Sequence, residues 1–303
     1  MKRRVSSRNE FIGTLLVLIT AISSGVAIIV NKFFVAKMDP LVLTSLRGFF
    51  VGIIFLLIAL YVMAHNREKS FKKTSWGPLL LIGIIGGGLA FWLFFSGLKL
   101  TLGVRAAFLH KTLPLYALIL AFVFLKERIT KKHIMAMSVM FLGLLIMELP
   151  KLSWDVRVGD LLVLGATVLW AIENTISKRA MLNRESNWVV VFSRMFFGSI
   201  VLFAIIFLLG KIDMLFLLTQ QQMVYVLISG LFLLVYVLTY YWGLKYINLS
   251  KAATILLLSP VVSLILGVLW LGESVAVVSF IGAFLILVGA YFIIGLRSES
   301  REV

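Results

Sequence analysis

The stretch FLHKTLP at 108–114 sets His110 and Lys111 side by side in otherwise apolar sequence. Further on, Thr167, Trp170, Glu173, Asn174 and Ser177 recur at helical spacing. A cation and a carboxylate in apolar surroundings can pair with each other, reach out to a polar boundary, or hold a charged solute. Lys111 and Glu173 are compatible with all three. A zwitterion such as an amino acid would answer both, its ammonium at Glu173 and the face of Trp170, its carboxylate at Lys111. His110 titrates near neutrality in water, which suits proton-linked work, and packing is its other reading. Covalent chemistry has no foothold here. There is no nucleophile–base spacing and no phosphate-binding glycine loop. The chain has no cysteine, and His65, His110 and His133 lie far apart, so the sequence calls for no metal or cofactor.

The elements that must carry these groups follow from composition. Of 303 residues, 61% are hydrophobic and only 14% charged, and the mean hydropathy is +1.08. Apolar runs of about twenty residues recur almost end to end, each long enough to cross ~30 Å of hydrocarbon. Lipid cannot satisfy backbone polar groups, so such runs are helices or barrel strands. Strict apolar/polar alternation is absent, which removes the barrel. The expected fold is an all-α integral membrane protein with ten spans: 11–34, 41–64, 77–98, 104–125, 133–149, 159–180, 188–209, 223–244, 251–271 and 275–295. The first apolar run is too long for the core of a signal peptide.

The net charge of +16 is distributed by side, not along a nucleic-acid-binding face. With the N-terminus inside, 19 Lys and Arg fall on inner segments and seven on outer ones, while Arg47, Lys111 and Arg194 lie within spans. This is the positive-inside bias. It places both termini in the cytoplasm of a multi-pass cell-membrane protein, with the basic excess facing the lipid bilayer. No nucleic-acid partner is expected.

The chain is also written twice. Residues 97–127 and 243–273 match without a gap at an offset of 146, with eleven of 31 positions identical, including Gly97/Gly243, Pro114/Pro260 and Glu127/Glu273. Arg47-Gly-Phe-Phe answers Arg194-Met-Phe-Phe with one residue more. Two five-helix repeats result, 1–150 and 151–303. Five is an odd number, so the second repeat is inverted relative to the first. Inverted repeats build alternating-access transporters, in which halves rock about a midplane site. The duplication separates scaffold from site. Matched residues serve common architecture: Pro114 and Pro260 read as hinge or scaffold, Glu127 and Glu273 as caps, and Arg47 and Arg194 as snorkelling or structural pairing. Polar residues present once serve asymmetric work. At the repeat offset His110 and Lys111 correspond to Leu256 and Leu257, Glu173 to Ala27, and Asn174 to Ile28. Tyr236 and Tyr240, one turn apart, read equally as aromatic cavity lining or as interhelical packing. Gly86-Gly87-Gly88 reads as close helix packing or a flexible point.

Ten spans as 5+5, the paired Arg47/Arg194, the G…A-A…P…E pattern ending in LKE and LGE, and LWA at 169–171 resemble the EamA-type drug/metabolite transporter superfamily over nearly the whole chain. One departure is Ser24-Gly25, where that family often has Trp-Gly. The resemblance implies a central cavity lined by spans 1, 3, 4, 6, 8 and 9, and export or exchange of small metabolites. The expected function is a secondary transporter, not an enzyme, for an amino acid or similar zwitterion held by His110, Lys111, Trp170, Glu173, Asn174 and Tyr240. A carrier of organic anions or phosphate esters, with protons as coupling ion through Glu173, is the alternative. A non-transporting scaffold or lipid-modifying protein is the alternative of another class. Partners are a small-molecule substrate and lipid, and a homodimer is compatible with the sequence.

Overall fold

The computed structural model describes residues 2–4, 6–65, 74–101, 103–148, 157–272 and 274–301. Glu273, read above as a cap, lies outside these residues. The helices in chain order are α1 (Ser7–Val35), α2 (Pro40–His65), α3 (Trp76–Leu81), a π-helical stretch (Ile82–Leu89), α4 (Ala90–Leu100), α5 (Gly103–His110), α6 (Leu113–Phe124), α7 (Lys131–Glu148), α8 (Val158–Leu182), α9 (Asn187–Leu208), the short α10 (Asp213–Phe216), α11 (Gln220–Tyr246), α12 (Leu249–Ile255), α13 (Ser259–Leu271) and α14 (Val277–Gly295). Among the described residues, nine helical segments are long and apolar enough to cross a membrane. α7 is 18 residues long and carries Lys131, Lys132 and Glu148 near its ends, which separates it from those nine. Leu57, Phe207, Trp270 and Tyr291 are among many large apolar side chains pointing outward, as lipid rather than water would require.

One feature departs from an all-helical chain. β1 (Lys2–Arg4) and β2 (Glu299–Arg301) pair antiparallel, so the first and last described segments meet. Six residues of strand do not change the architecture, but they put both ends of the chain on one face of the bundle.

The main helix pairings are α1 with α11, α2 with α9, α4 with α8, and α7 with α14, with further contacts of α1 on α13, α6 on α8 and the π stretch on α9. Each joins the first half of the sequence to the second. The matched motifs explain part of this. On α2 and α9, Phe49 stacks on Phe196 with ring centroids 5.5 Å apart. A Cβ at Gly52 would lie 2.8 Å from the Phe196 backbone nitrogen. Small residues let these helices approach where no hydrophobic drive exists inside lipid. The halves are therefore interleaved, and neither has a core of its own.

Candidate functional site

Two helices break at equivalent points. α5 ends at His110 and α6 begins at Leu113, with a turn at Lys111 and Thr112 between them. α12 ends at Ile255, a 3₁₀ turn covers Leu256–Leu258, and α13 begins at Ser259. The offset of 146 maps one turn onto the other. Pro114 and Pro260 stand in the first turn of the second half-helix in each case. A proline there lacks only an N–H that the new helix does not need, while it denies the preceding helix its continuation. The two prolines thus start fresh helices, a sharper interruption than a bend. In the first break, Thr112 Oγ1 donates to the Leu109 carbonyl at 2.6 Å, satisfying backbone that the break set free.

The two breaks face a shared cavity of about 50 Å³, lined by Ser24 of α1, His110, Lys111 and Pro114, Tyr236 of α11, and Leu257 among others. A buried water needs roughly 10–15 Å³ on this measure, so the space holds a few waters and no metabolite. Lys111 Nζ donates to Ser259 Oγ at 2.6 Å, bridging one break to the other. His110 makes edge-to-face ring contacts with Trp170 and Phe94, with centroids 4.8 and 5.6 Å away. Tyr236 stacks on Tyr240 at 5.9 Å.

Glu173 belongs to a separate, denser cluster. It is wholly buried. Its Oε1 accepts from Tyr241 Oη at 2.6 Å and from Ser177 Oγ at 2.7 Å. Its Oε2 pairs with Arg194 Nε at 3.2 Å. The Arg194 guanidinium also lies 5.8 Å from the centre of the Tyr241 ring. Of the arrangements open to Lys111 and Glu173, direct pairing is therefore not the one adopted. Glu173 takes a cation that the duplication had classed with the scaffold. Gly86 makes room for this cluster, since a Cβ there would stand 2.2 Å from Glu173 Cγ. The carbonyl of Gly86, within the π-helical stretch, accepts from Trp170 Nε1 at 3.0 Å. The three glycines therefore serve close packing, and π-helical geometry accompanies it.

The remaining expected site residues divide. Asn174 is buried on α8. Tyr240 is buried with its hydroxyl lacking a hydrogen-bond partner among the described residues. Trp170 connects the two clusters, touching His110 on one side and Gly86 on the other. Sequence reasoning passed over Ser259 and Tyr241, and met Ser24 only as a departure from the family pattern. Small hydroxyls in apolar helices carry little signal, but Ser259 precedes the matched Pro260 and so marks the break.

Ion pairs and hydrogen bonds close the bundle at both ends. At the end holding the α1–α2 connection, Lys211 pairs with Asp39 at 2.5 Å and Arg105 with Asp160 at 3.0 Å. Burial pushes the Asp39 carboxyl up, but the Lys211 hydrogen bond, the Leu41 amide and the charges of Lys211 and Lys99 outweigh it and hold it below its ordinary value. At the end holding the termini, Lys251 pairs with Glu10 at 2.7 Å. Glu127 accepts from the Leu249 and Ser250 amides at 2.6 and 3.0 Å and caps α12. Lys178 donates to the Ile247 carbonyl at 2.9 Å and to that of Leu244.

Long apolar helices enclosing two broken ones, with a small cavity between the breaks, define a multi-pass membrane protein. The EamA-like transporter family matches twice, over residues 11–149 and 157–295. The chain belongs to that family, and it is a transporter rather than an enzyme. An uncharacterized transporter of Archaeoglobus fulgidus is 27% identical over 279 residues, covering 90% of this chain and 95% of its own. The transporter YyaM of Bacillus subtilis, also termed uncharacterized, is 26% identical over 279 residues, covering 89% of each. A crystal structure aligns with a TM-score of 0.78 at 18% identity over 93% of this chain and 96% of that one, a likeness of fold.

Proposed function

We propose that the protein is a secondary transporter that moves a small carboxylate-bearing metabolite across the cell membrane by alternating access. The observation that carries this reading is the placement of Lys111. Its ammonium lines the cavity and meets a hydroxyl, Ser259 Oγ. The carboxylate best placed by sequence, Glu173, is committed to Arg194, Tyr241 and Ser177. A cation at membrane depth costs roughly 2.5–3.5 kcal/mol on insertion scales, and a solute carboxylate would offset that cost in transit. His110 and Tyr236 line the cavity beside Lys111, Trp170 packs against His110 and Tyr240 against Tyr236, while Asn174 is buried on α8 and is not among the lining residues. An amino acid remains the narrower version: Phe94 and Trp170 pack beside His110, and an aromatic face turned to the cavity when it opens would hold an ammonium.

The architecture that goes with this is two inverted five-helix repeats, 1–150 and 151–303, with α7 as the tenth span. Both termini lie in the cytoplasm. The interleaved packing shapes the motion: the moving bodies are helix sets drawn from both repeats, not the two halves of the sequence. The few-water cavity and the ties at each end belong to a closed intermediate between outward- and inward-facing forms.

Counterflow in proteoliposomes tests the reading. Monocarboxylates, dicarboxylates, amino acids and simple amines are offered in turn, across a range of pH. The carboxylates should exchange and the amines should not, and Lys111→Met should abolish exchange. Exchange of amines, or full activity in Lys111→Met, would discard it.

A further inference from the structure

Arg47 on α2 is the repeat mate of Arg194 on α9, and the two guanidiniums keep different company. Arg194 Nε donates to Glu173 Oε2 at 3.2 Å. Arg47 donates through Nη1 to Ser229 Oγ at 2.9 Å, and Ser229 Oγ donates to Asn31 Oδ1 at 2.7 Å. Asn31 is the repeat mate of Ser177, so both arginines lie beside equivalent turns of α1 and α8. What the first site lacks is the carboxylate. The mate of Glu173 is Ala27. Correspondingly, the same atom that meets Glu173 in one repeat, Nε, is buried without a hydrogen-bond partner at Arg47 among the described residues. An unneutralised guanidinium with an orphaned donor is costly inside lipid. The duplicated fold shows which group satisfies it: a carboxylate approaching Nε from the α1/α8 side.

We propose that Arg47, with Ser229 and Asn31, is a second carboxylate-binding station, where a ligand's carboxylate takes the part that Glu173 plays at Arg194. Arg47 stands seven residues into α2, or ~10 Å along its axis from the end that holds the Asp39–Lys211 pair. Lys111 stands eight residues into its segment from the same end, so the station lies at about the depth of the Lys111 cavity. Guanidinium suits a planar carboxylate better than a spherical halide, because its donors lie in a rigid plane. The ligand class rests on the carboxylate reading of the cavity, whereas the site itself rests on the comparison of the two arginines.

The test isolates the station by removing the cavity cation. Purified Lys111→Met protein is unfolded thermally in formate or acetate, against chloride and inorganic phosphate at matched ionic strength. The carboxylates should raise the melting temperature by roughly 2–4 °C at five times Kd, and chloride and phosphate should not. Adding Ala27→Glu supplies the missing carboxylate from the protein itself. It should raise the melting temperature without ligand and remove the response to formate and acetate, while Ala27→Gln should not raise it. The proposal fails if Lys111→Met shows no carboxylate-specific rise, if chloride or phosphate protects equally, or if Ala27→Glu destabilises the protein or keeps the response. Counterflow with Lys111→Met judges the cavity, and these melting shifts judge Arg47, so one reading can fail without the other.

Discussion

Pro114 and Pro260 open the second halves of two broken helices 146 residues apart, yet the turn before Pro114 holds His110, Lys111 and Thr112 where the turn before Pro260 holds three leucines. Both turns form. The break is therefore a property of the proline and the shared scaffold, and the charge at one of them is an addition the fold does without. The two arginines repeat the lesson in another form. Arg194 is answered by Glu173, and Arg47 by the hydroxyl of Ser229. The scaffold tolerates a cation at both points, and only one is given its counter-charge from within.

The largest expected effect comes from breaking the paired side of that contrast. Glu173→Ala leaves Arg194 buried and uncompensated, which should cost ~3–5 kcal/mol in thermal or denaturant unfolding. Glu173→Ala with Arg194→Met should recover most of it. A double variant as unstable as the single one would show that Arg194 is not the charge being compensated. Next, the contrast between the breaks can be erased. Leu257→Lys places the Lys111 charge in the second turn, where no partner has been provided, and should cost roughly 2.5–3.5 kcal/mol. A neutral result, read as unchanged membrane yield and melting, would mean that the second turn is as ready for charge as the first. Gly86→Ala presses a methyl into the Glu173 side chain and should cost ~1–3 kcal/mol by overpacking, with no matching loss for Ala90→Gly beyond the usual helix-interior penalty of ~1 kcal/mol.

The smallest effect is at the end that holds the Asp39–Lys211 pair. The folded Asp39 carboxyl lies below its ordinary value. Its stabilising contribution is whole above about pH 4 and is lost as pH falls through the lower folded value. Asp39→Asn should lower stability above pH 4 by about 1 kcal/mol or less, since the pair is partly exposed, and should flatten the acid limb of the stability–pH profile. A profile unchanged by Asp39→Asn would remove the pair from any part in holding that end shut.

The membrane class, the helical character of the runs, and the duplication were legible without coordinates. Each depends on local quantities: apolar length, absence of alternation, and a Gly, Pro and Glu pattern repeated at one offset. The asymmetry of His110, Lys111 and Glu173 was equally visible. What they touch was not. Glu173 meets Arg194 and Tyr241 because α8, α9 and α11 converge there, and sequence separation says nothing about that convergence. Lys111 meets Ser259 because two turns, related only by the repeat, face each other across the bundle.

Sequence alone determined that this chain lives in lipid, that its helices come in two similar sets, and that one set carries charges the other lacks. In hydrocarbon each helix must satisfy its own backbone, so its existence is written residue by residue. Tertiary structure alone decided that the two sets interleave instead of standing apart, and which cation each carboxylate receives. Without a hydrophobic drive between helices, pairing follows from close approach at small residues and from polar groups finding partners. Those conditions are met only when distant segments are brought together.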